Sequence, residues 1–208
     1  PVINTLNQDD LRVWFKDPAT EGPNINYSLA GNIFLSPCHP LLASNNCFAD
    51  MAYLAENNLS VAPFNLYQNR QVQHLVTVQG QSILHTFILD YKYNNVPQEL
   101  NRDYQALYQI YLHPSAQFVS IEKDNQEQNI VVNKELNHNL SLFQIPLSHP
   151  PKGSSTIKIN FILKNILPAS DLQNFAYSIK TFHQPGTNIQ NSQLIINHPT
   201  NLTVSGIT

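Results

Sequence analysis

Histidines that stand directly before a proline are more frequent in this chain than random placement of the two residue types predicts. Four of the eight histidines do so, namely His39, His113, His149 and His198. Proline biases the preceding residue to extended geometry, so we expect these histidines at strand ends or turns. Strand ends of a β-sandwich gather at two poles, where several histidines could form one metal-binding or pH-sensitive site. The alternative, which we favour, is that they are exposed polar residues of loops.

Two further histidines, His74 and His85, lie within residues 70–93, where alternating side chains predict two strands folded back on each other. A two-residue turn at residues 79–80 would place the two histidines directly opposite one another on a shared face. A turn longer by one residue would instead place His74 opposite Thr86.

This histidine pair has two interpretations. Directly opposed side chains are close enough to share a metal ion, so His74 and His85 are candidate metal ligands. A metal site needs at least one more ligand, and none lies nearby in the sequence. We favour two hydrogen-bonded histidines on a half-buried sheet, with no cofactor.

Five tyrosines flank a single predicted loop region and are the candidate binding residues. They are Tyr91, Tyr93, Tyr104, Tyr108 and Tyr111. Aromatic rings beside Asn and Gln amides are typical of surfaces that bind saccharides or proteins. The pattern therefore predicts an exposed binding surface, and the alternative is packing of these rings in the core and at its rim.

The chain contains two cysteines, Cys38 and Cys47, and the segment between them carries a proline and an Asn-Asn turn signal. Such a loop can close into a disulfide, and we predict that it does. Their spacing is not that of a zinc knuckle. An isolated disulfide suits an oxidising compartment, so we expect a secreted or periplasmic protein. The chain begins at Pro1 without Met, as expected if an export signal was removed or if the sequence is a trimmed piece.

Composition excludes several classes of partner. The formal charge is −3, and the 11 Lys and Arg residues are scattered rather than gathered in a stripe, which argues against nucleic acid and anionic membrane surfaces. No apolar run approaches the roughly 20 residues needed to insert into a membrane. Charged residues make up only 12% of the chain, and Asn and Gln together make up about a fifth. A surface solvated by amides is often seen in soluble exported proteins.

The elements that must position these residues are mostly strands. Apolar residues at helical spacing predict a helix over residues 48–56. Residues 98–113 are ambiguous, and we predict a short helical turn before Tyr104 and a strand after it. Besides the hairpin, alternation predicts strands at residues 11–15, 27–35, 61–66, 117–122, 129–132, 139–147, 157–163, 175–179, 194–196 and 202–204.

Short strands with frequent turn signals predict a mainly β fold, an antiparallel β-sandwich of immunoglobulin-like or jelly-roll-like type with one or two short helices. We expect a single domain over residues 1–208, in which residues 1–59 form an N-terminal extension. The strongest break in the pattern lies at residues 146–153, where the chain could instead divide into two small domains.

The sequence lacks the motifs of common catalytic and phosphate-binding sites, including the nucleophile elbow, the zinc-protease helix and glycine-rich phosphate loops. We therefore interpret the chain as an exported, non-catalytic binding protein that recognises a protein or glycan partner. One alternative is an exported hydrolase or metal-dependent enzyme with a histidine site at strand ends. Another is a structural subunit of a surface or virion assembly.

Overall fold

A computed structural model of the chain describes residues 35, 38, 47–60, 67–94, 96–98, 102–137, 139–150, 153–167, 175–182, 184 and 189–200. Within these residues the chain is mainly β strand and contains no α-helix. The strands are β1 (Cys47–Asn58), β2 (Gln68–Gln79), β3 (Ser82–Tyr93), β4 (Tyr104–Leu112), β5 (Gln117–Lys123), β6 (Gln126–Glu127), β7 (Asn133–Asn137), β8 (Leu140–His149), β9 (Gly153–Leu163), β10 (Ala176–Phe182) and β11 (Ile189–Asn197).

The strands form two sheets that pack face to face, which confirms the predicted β-sandwich. The first sheet has five strands in the order β10-β1-β4-β8-β7, and the second has six in the order β11-β2-β3-β9-β5-β6. Most neighbours are antiparallel, as predicted. The exceptions are the edge pairs β1–β10 and β2–β11, which are parallel, so both sheets are mixed.

The core lies between the two sheets and is built from alternate residues of the central strands. On β3 every second residue from Ile83 to Tyr93 is buried, and on β9 every second residue from Ile157 to Leu163 is buried. These inward faces agree with the predicted alternation. Burial of each large apolar side chain stabilises the fold by about 1.5–3 kcal/mol, so the two faces hold the sheets together.

The hairpin of β2 and β3 has a register that differs from both predictions. The turn consists of Gly80 and Gln81, and Gly80 adopts a φ of +57° at its first position. His74 therefore lies opposite Phe87, and His85 lies opposite Val76. The two-residue shift relative to the favoured register keeps every side chain on its predicted face, because strand side chains repeat every second residue. Alternation alone cannot distinguish such registers.

The predicted helix at residues 48–56 is wrong, because these residues belong to β1. All residues from Asp50 to Glu56 are buried, since β1 lies between β4 and β10 and is covered on both faces. Met51, Tyr53 and Ala55 pack with Leu140 in a second, smaller apolar cluster. A strand buried on both faces loses the simple alternation, and its apolar residues then imitate helical spacing.

Other predictions of secondary structure have mixed outcomes. The strand after Tyr104 is confirmed as β4, and those predicted at 117–122, 139–147, 157–163, 175–179 and 194–196 fall on β5, β8, β9, β10 and β11. Residues 129–132 are not a strand, and β7 begins at Asn133. The strands predicted at 11–15, 61–66 and 202–204, most of 27–35, and most of the helical turn before Tyr104 lie outside the described residues.

The chain around residues 146–153 leads from one sheet to the other. Strand β8 continues to His149, and β9 starts in the second sheet at Gly153. Ile145 and Ile157, on the two sides of this segment, belong to the same apolar cluster. Strand β1 has neighbours on both sides, so part of the predicted N-terminal extension belongs to the sandwich.

The predicted disulfide is confirmed. Cys38 and Cys47 are bonded, with their Cα atoms 6.3 Å apart, and the bond ties the start of β1 to the preceding chain. Among the described residues, none forms a helix of the length and apolarity that crossing a membrane requires.

Candidate functional site

Strand β1 carries two buried carboxylates, Asp50 and Glu56, on the face that points between the sheets. Their residues are 1% and 7% exposed. A buried carboxylate is costly unless donors and positive charge compensate it. Each of the two has gathered such partners from both sheets, and the result is two separate polar clusters inside the sandwich.

The first we call the glutamate–tyrosine cluster. It consists of Glu56, Arg70, Tyr91, Tyr104, Tyr108 and His149, contributed by β1, β2, β3, β4 and β8. The Arg70 guanidinium forms an ion pair with Glu56 Oε2, and Tyr91 donates a hydrogen bond of 2.7 Å to the same oxygen. Tyr104 donates to Glu56 Oε1. Positive charge and hydroxyl donors thus surround the carboxylate.

A chain of hydrogen bonds extends this cluster away from Glu56. Because Tyr91 donates to Glu56, its oxygen accepts from Tyr108 at 2.9 Å. Tyr108 in turn lies 2.7 Å from His149 Nε2, which is then the donor. Burial lowers the pKa of His149 to about 4, so the ring is neutral at pH 7. The chain of donors therefore points from a neutral imidazole toward the carboxylate.

The pKa values of Tyr91 and Arg70 in this cluster are also shifted. Burial, followed by the charge of Glu56, raises the pKa of Tyr91 well above its ordinary value. Burial opposes the charge of Arg70, but Glu56 holds the pKa of that guanidinium above its ordinary value. The tyrosines are therefore neutral donors and Arg70 is permanently charged at any physiological pH.

The second we call the histidine–aspartate cluster, and it consists of Asp50, His74, His85 and Tyr177. His85 Nε2 lies 3.0 Å from Asp50 Oδ2, and His74 Nε2 lies 3.0 Å from His85 Nδ1. Tyr177 donates a hydrogen bond of 2.6 Å to Asp50 Oδ2, and the Met51 amide donates to Oδ1. The His74 ring stacks on Phe87 with centroids 4.3 Å apart.

The electrostatics of this cluster favour a charged carboxylate and a neutral outer histidine. Burial acts to raise the pKa of Asp50, but His85, Tyr177 and the Met51 amide together hold it below its ordinary value. Burial, with a smaller contribution from His85, lowers the pKa of His74 to about 3. His74 is therefore uncharged at pH 7.

A cavity of about 250 Å³ lies between the sheets beside the edge strands β10 and β11, and the two clusters meet at its wall. His74 lines it from one cluster and Arg70 from the other. The remaining lining residues are Ala52, Leu54, Val72, Phe87, Thr181, Phe182, Gln184, Ser192, Gln193 and Leu194. The wall combines aromatic and aliphatic surface with hydroxyl and amide groups, as small-molecule sites do.

Gln184 is anchored to the chain beside this cavity. The Glu56 amide donates to Gln184 Oε1 at 2.7 Å, and Gln184 Nε2 donates back to the Glu56 carbonyl at 2.9 Å. The pair of bonds links a residue that follows β10 to the strand that carries both carboxylates. One wall of the cavity is therefore held in place by two hydrogen bonds between the Gln184 side chain and the main chain of Glu56.

The five predicted binding tyrosines do not form an exposed surface. Tyr91, Tyr93, Tyr104 and Tyr108 are buried between the sheets, because each occupies an inward position of β3 or β4. Tyr111 is half-buried on the other face of β4, with its ring 5.8 Å from that of Tyr53. The four buried tyrosines therefore pack in the core, which was the alternative that the sequence left open.

The histidines before prolines are not gathered as a group. His113 and His149 lie at opposite ends of the antiparallel pair β4–β8. His198 is exposed after β11, and His39 lies outside the described residues. His74 and His85 are in contact, but no group of three possible metal ligands occurs in the described part of the chain. Metal binding by this pair stays a prediction.

Several residues of the two clusters were missed from the sequence. Arg70 is in phase with Val72 and His74 on the inward face of β2, so a charge in an apolar stripe was an available signal. Asp50 and Glu56 were hidden by the incorrect helix at residues 48–56. Tyr177 and Gln184 give no such signal, because their partners are distant in sequence.

No protein-family model and no curated protein sequence matches the chain. Its structure is similar to part of leukotriene A4 hydrolase from Saccharomyces cerevisiae, with 9% identity, a TM-score of 0.32 and coverage of 50% of this chain and 16% of that one. It is also similar to a proposed nutrient-binding protein of Legionella pneumophila, with 7% identity, a TM-score of 0.34 and coverage of 54% and 43%.

A third similar structure is the M1 zinc metallopeptidase from Deinococcus radiodurans, with 10% identity, a TM-score of 0.23 and coverage of 46% of this chain and 19% of that one. The matched part spans less than half the length of each of the three structures. Likenesses of this extent identify neither a family nor a function.

Proposed function

We propose that the chain is an exported, non-catalytic binding protein that recognises a glycan through one saccharide unit held in the cavity between the sheets. The observation that carries the proposal is the composition of the cavity wall. Phe87 and Leu54 offer apolar surface to the C–H groups of a sugar, and Thr181 and Ser192 offer hydroxyls to those of the sugar. The volume of about 250 Å³ is below the range typical of drug-sized ligands, which suits one small unit.

The pairing of the buried acids supports binding rather than catalysis. Asp50 is engaged by His85, Tyr177 and a backbone amide, and Glu56 is engaged by Arg70 and tyrosine hydroxyls. A general acid or base needs to reach a proton of the substrate, and neither carboxylate is among the residues that line the cavity. In this proposal their role is to fix the strands around the cavity.

The disulfide supports export to an oxidising compartment. Bonds such as Cys38–Cys47 persist in secreted and periplasmic proteins, whereas the cytosol keeps thiols reduced. Secretion or a periplasmic location is therefore part of the proposal.

Binding can be tested with a glycan array followed by calorimetry on a variant that narrows the cavity. Leu194→Trp places a larger side chain at the wall on β11, and we expect it to weaken glycan binding about tenfold or more through the loss of fitted contacts. Leu136→Trp is the matched control, because Leu136 is exposed on β7, at the edge of the five-stranded sheet opposite to β10. Equal binding by both variants would exclude the cavity as the site.

A further inference from the structure

Among the described residues that line the cavity, one side chain is formally charged, and that charge is positive. Among the lining residues there is no Asp, Glu or Lys, and Arg70 is the single ionised group. The other ionisable group is His74, which burial keeps neutral at pH 7 by lowering its pKa to about 3. A ligand inside the cavity therefore faces a fixed positive charge with no negative side chain in the wall.

The hydrogen bonding of Arg70 is incomplete. Its side chain is 4% exposed, and Nη1 is paired with Glu56. Buried Nη2 has no hydrogen-bond partner among the residues that the structure describes. A buried guanidinium donor that lacks an acceptor carries a desolvation cost that a suitable acceptor would remove. Arg70, a residue of the cavity wall, thus has a buried donor without an acceptor.

Arg70 shares its counter-ion Glu56 with several neutral donors. That carboxylate also accepts hydrogen bonds from Tyr91 and Tyr104, and Gln68 Nε2 lies 3.4 Å from Oε1. Its negative charge is shared among these donors as well as Arg70. The Nη2 arm is therefore the part of the guanidinium that a second acceptor could bind, and a carboxylate would accept a charge-assisted hydrogen bond from it.

We propose that the cavity selects a carboxylated saccharide, such as a uronic acid, whose carboxylate accepts a hydrogen bond from Arg70 Nη2. This inference rests on the proposed function and narrows its ligand class. The sugar ring packs against Phe87, and its hydroxyls meet the hydroxyl groups of Thr181 on β10 and Ser192 on β11. Charge-assisted hydrogen bonds are about twice as strong as neutral ones, so charge provides the selectivity.

The test is calorimetry on the full chain with three probes, D-glucuronate, D-glucose and acetate, at pH 7 and low salt. We expect glucuronate to bind at least about tenfold more tightly than glucose, since one charge-assisted bond accounts for that ratio. Equal binding of the two sugars overturns this inference and leaves the proposed glycan binding intact. Acetate binding as tightly as glucuronate overturns the saccharide assignment, and binding of no sugar overturns both proposals.

The variant Arg70→Lys tests whether the arginine causes the preference for glucuronate over glucose. Arg70→Lys keeps a cation beside Glu56 but removes the second donor arm, so we expect the ratio of the glucuronate affinity to the glucose affinity to fall about tenfold. Circular dichroism establishes whether this variant folds. If it does not, the ratio of the glucuronate and glucose affinities of the unsubstituted protein still decides the proposal. An unchanged ratio of the two affinities in a folded Arg70→Lys variant overturns it.

Discussion

The two buried clusters handle a carboxylate between the sheets in different ways. Around Glu56 the compensating cation is an arginine, which cannot lose its proton, and tyrosines supply the remaining donors. Around Asp50 the partner is a histidine, a residue type that, unlike arginine, has a neutral form in the physiological pH range. The comparison teaches that similar burial does not imply similar cost of disruption. Removal of the carboxylate from the glutamate–tyrosine cluster should therefore lower the free energy of unfolding more than its removal from the histidine–aspartate cluster.

Removal of each carboxylate charge is the strongest test of this difference. We expect Glu56→Gln to lower the free energy of unfolding by about 3–5 kcal/mol, because it leaves Arg70 charged and buried without its counter-ion. Asp50→Asn should cost about 1–3 kcal/mol, the range for lost hydrogen bonds, since a neutral form is accessible to a histidine partner and not to an arginine. Urea denaturation measures both values.

The control for these two variants is Glu122→Gln on β5. Glu122 lies 3.4 Å from Lys158 in a partly exposed ion pair, which should contribute less than about 1 kcal/mol. A loss of stability in Asp50→Asn as large as that in Glu56→Gln would show that the identity of the cation does not matter.

Acid should weaken each cluster through its neutral histidine, and the effect of each single histidine should be somewhat smaller than that of removing Glu56. In the unfolded chain a histidine binds a proton below about pH 6.5, whereas burial holds the pKa of His149 at about 4 and that of His74 at about 3. Each neutral histidine contributes stability that is fully present above pH 6.5 and is lost as the pH falls. We expect a loss of about 3 kcal/mol per histidine between pH 6.5 and pH 4.

Denaturation curves at several pH values measure this loss, and proton NMR titration assigns it to each ring. His149→Phe should remove its share of the pH dependence while the share of His74 remains. The rings that face His149 are those of Tyr91, Tyr104 and Tyr108, and the charged groups that act on its pKa are Glu56, Lys123, Asp124 and Asp103. These tyrosines are neutral throughout the window, so their titration cannot mask the effect. A stability that is constant from pH 6.5 to pH 4 would contradict the assignment.

The smallest expected difference comes from a matched pair of hydroxyl deletions. Tyr177→Phe removes a donor to Asp50, and we expect a loss of about 2 kcal/mol because that carboxylate is compensated by a histidine rather than an arginine. Tyr104→Phe removes a donor to Glu56, which keeps Arg70 and Tyr91, so a loss of about 1 kcal/mol is expected. The same denaturation assay compares the two, and a reversed order would refute this account of donor number.

More of the fold than of the candidate site could be predicted from the sequence. The inward faces of β3, β4 and β9 follow from alternation, and the disulfide follows from the presence of two cysteines and a turn-prone loop. The five tyrosines were predicted to form an exposed surface, but four of them are buried between the sheets. Alternation indicates that residues share a face, and it does not indicate whether that face meets solvent or a second sheet.

The register of the hairpin illustrates the same limit on a smaller scale. Shifts of two residues leave His74 and His85 on the inward face, so hydrophobic patterning does not distinguish them. The choice was made by Gly80, which takes the positive φ required at the first turn position. The result is a diagonal pair of histidines in contact through Nε2 and Nδ1 rather than a directly opposed pair.

The sequence by itself determined the mainly β class, the inward faces of the central strands and the cysteine pair, because these depend on local spacing and composition. Only the tertiary structure decided which polar residues meet. Glu56 meets Arg70 across 14 positions, Tyr108 meets His149 across 41, and Glu56 meets Gln184 across 128. Such contacts are set by the packing of two sheets and by the cost of burying a charge without a partner, and neither is visible in local spacing.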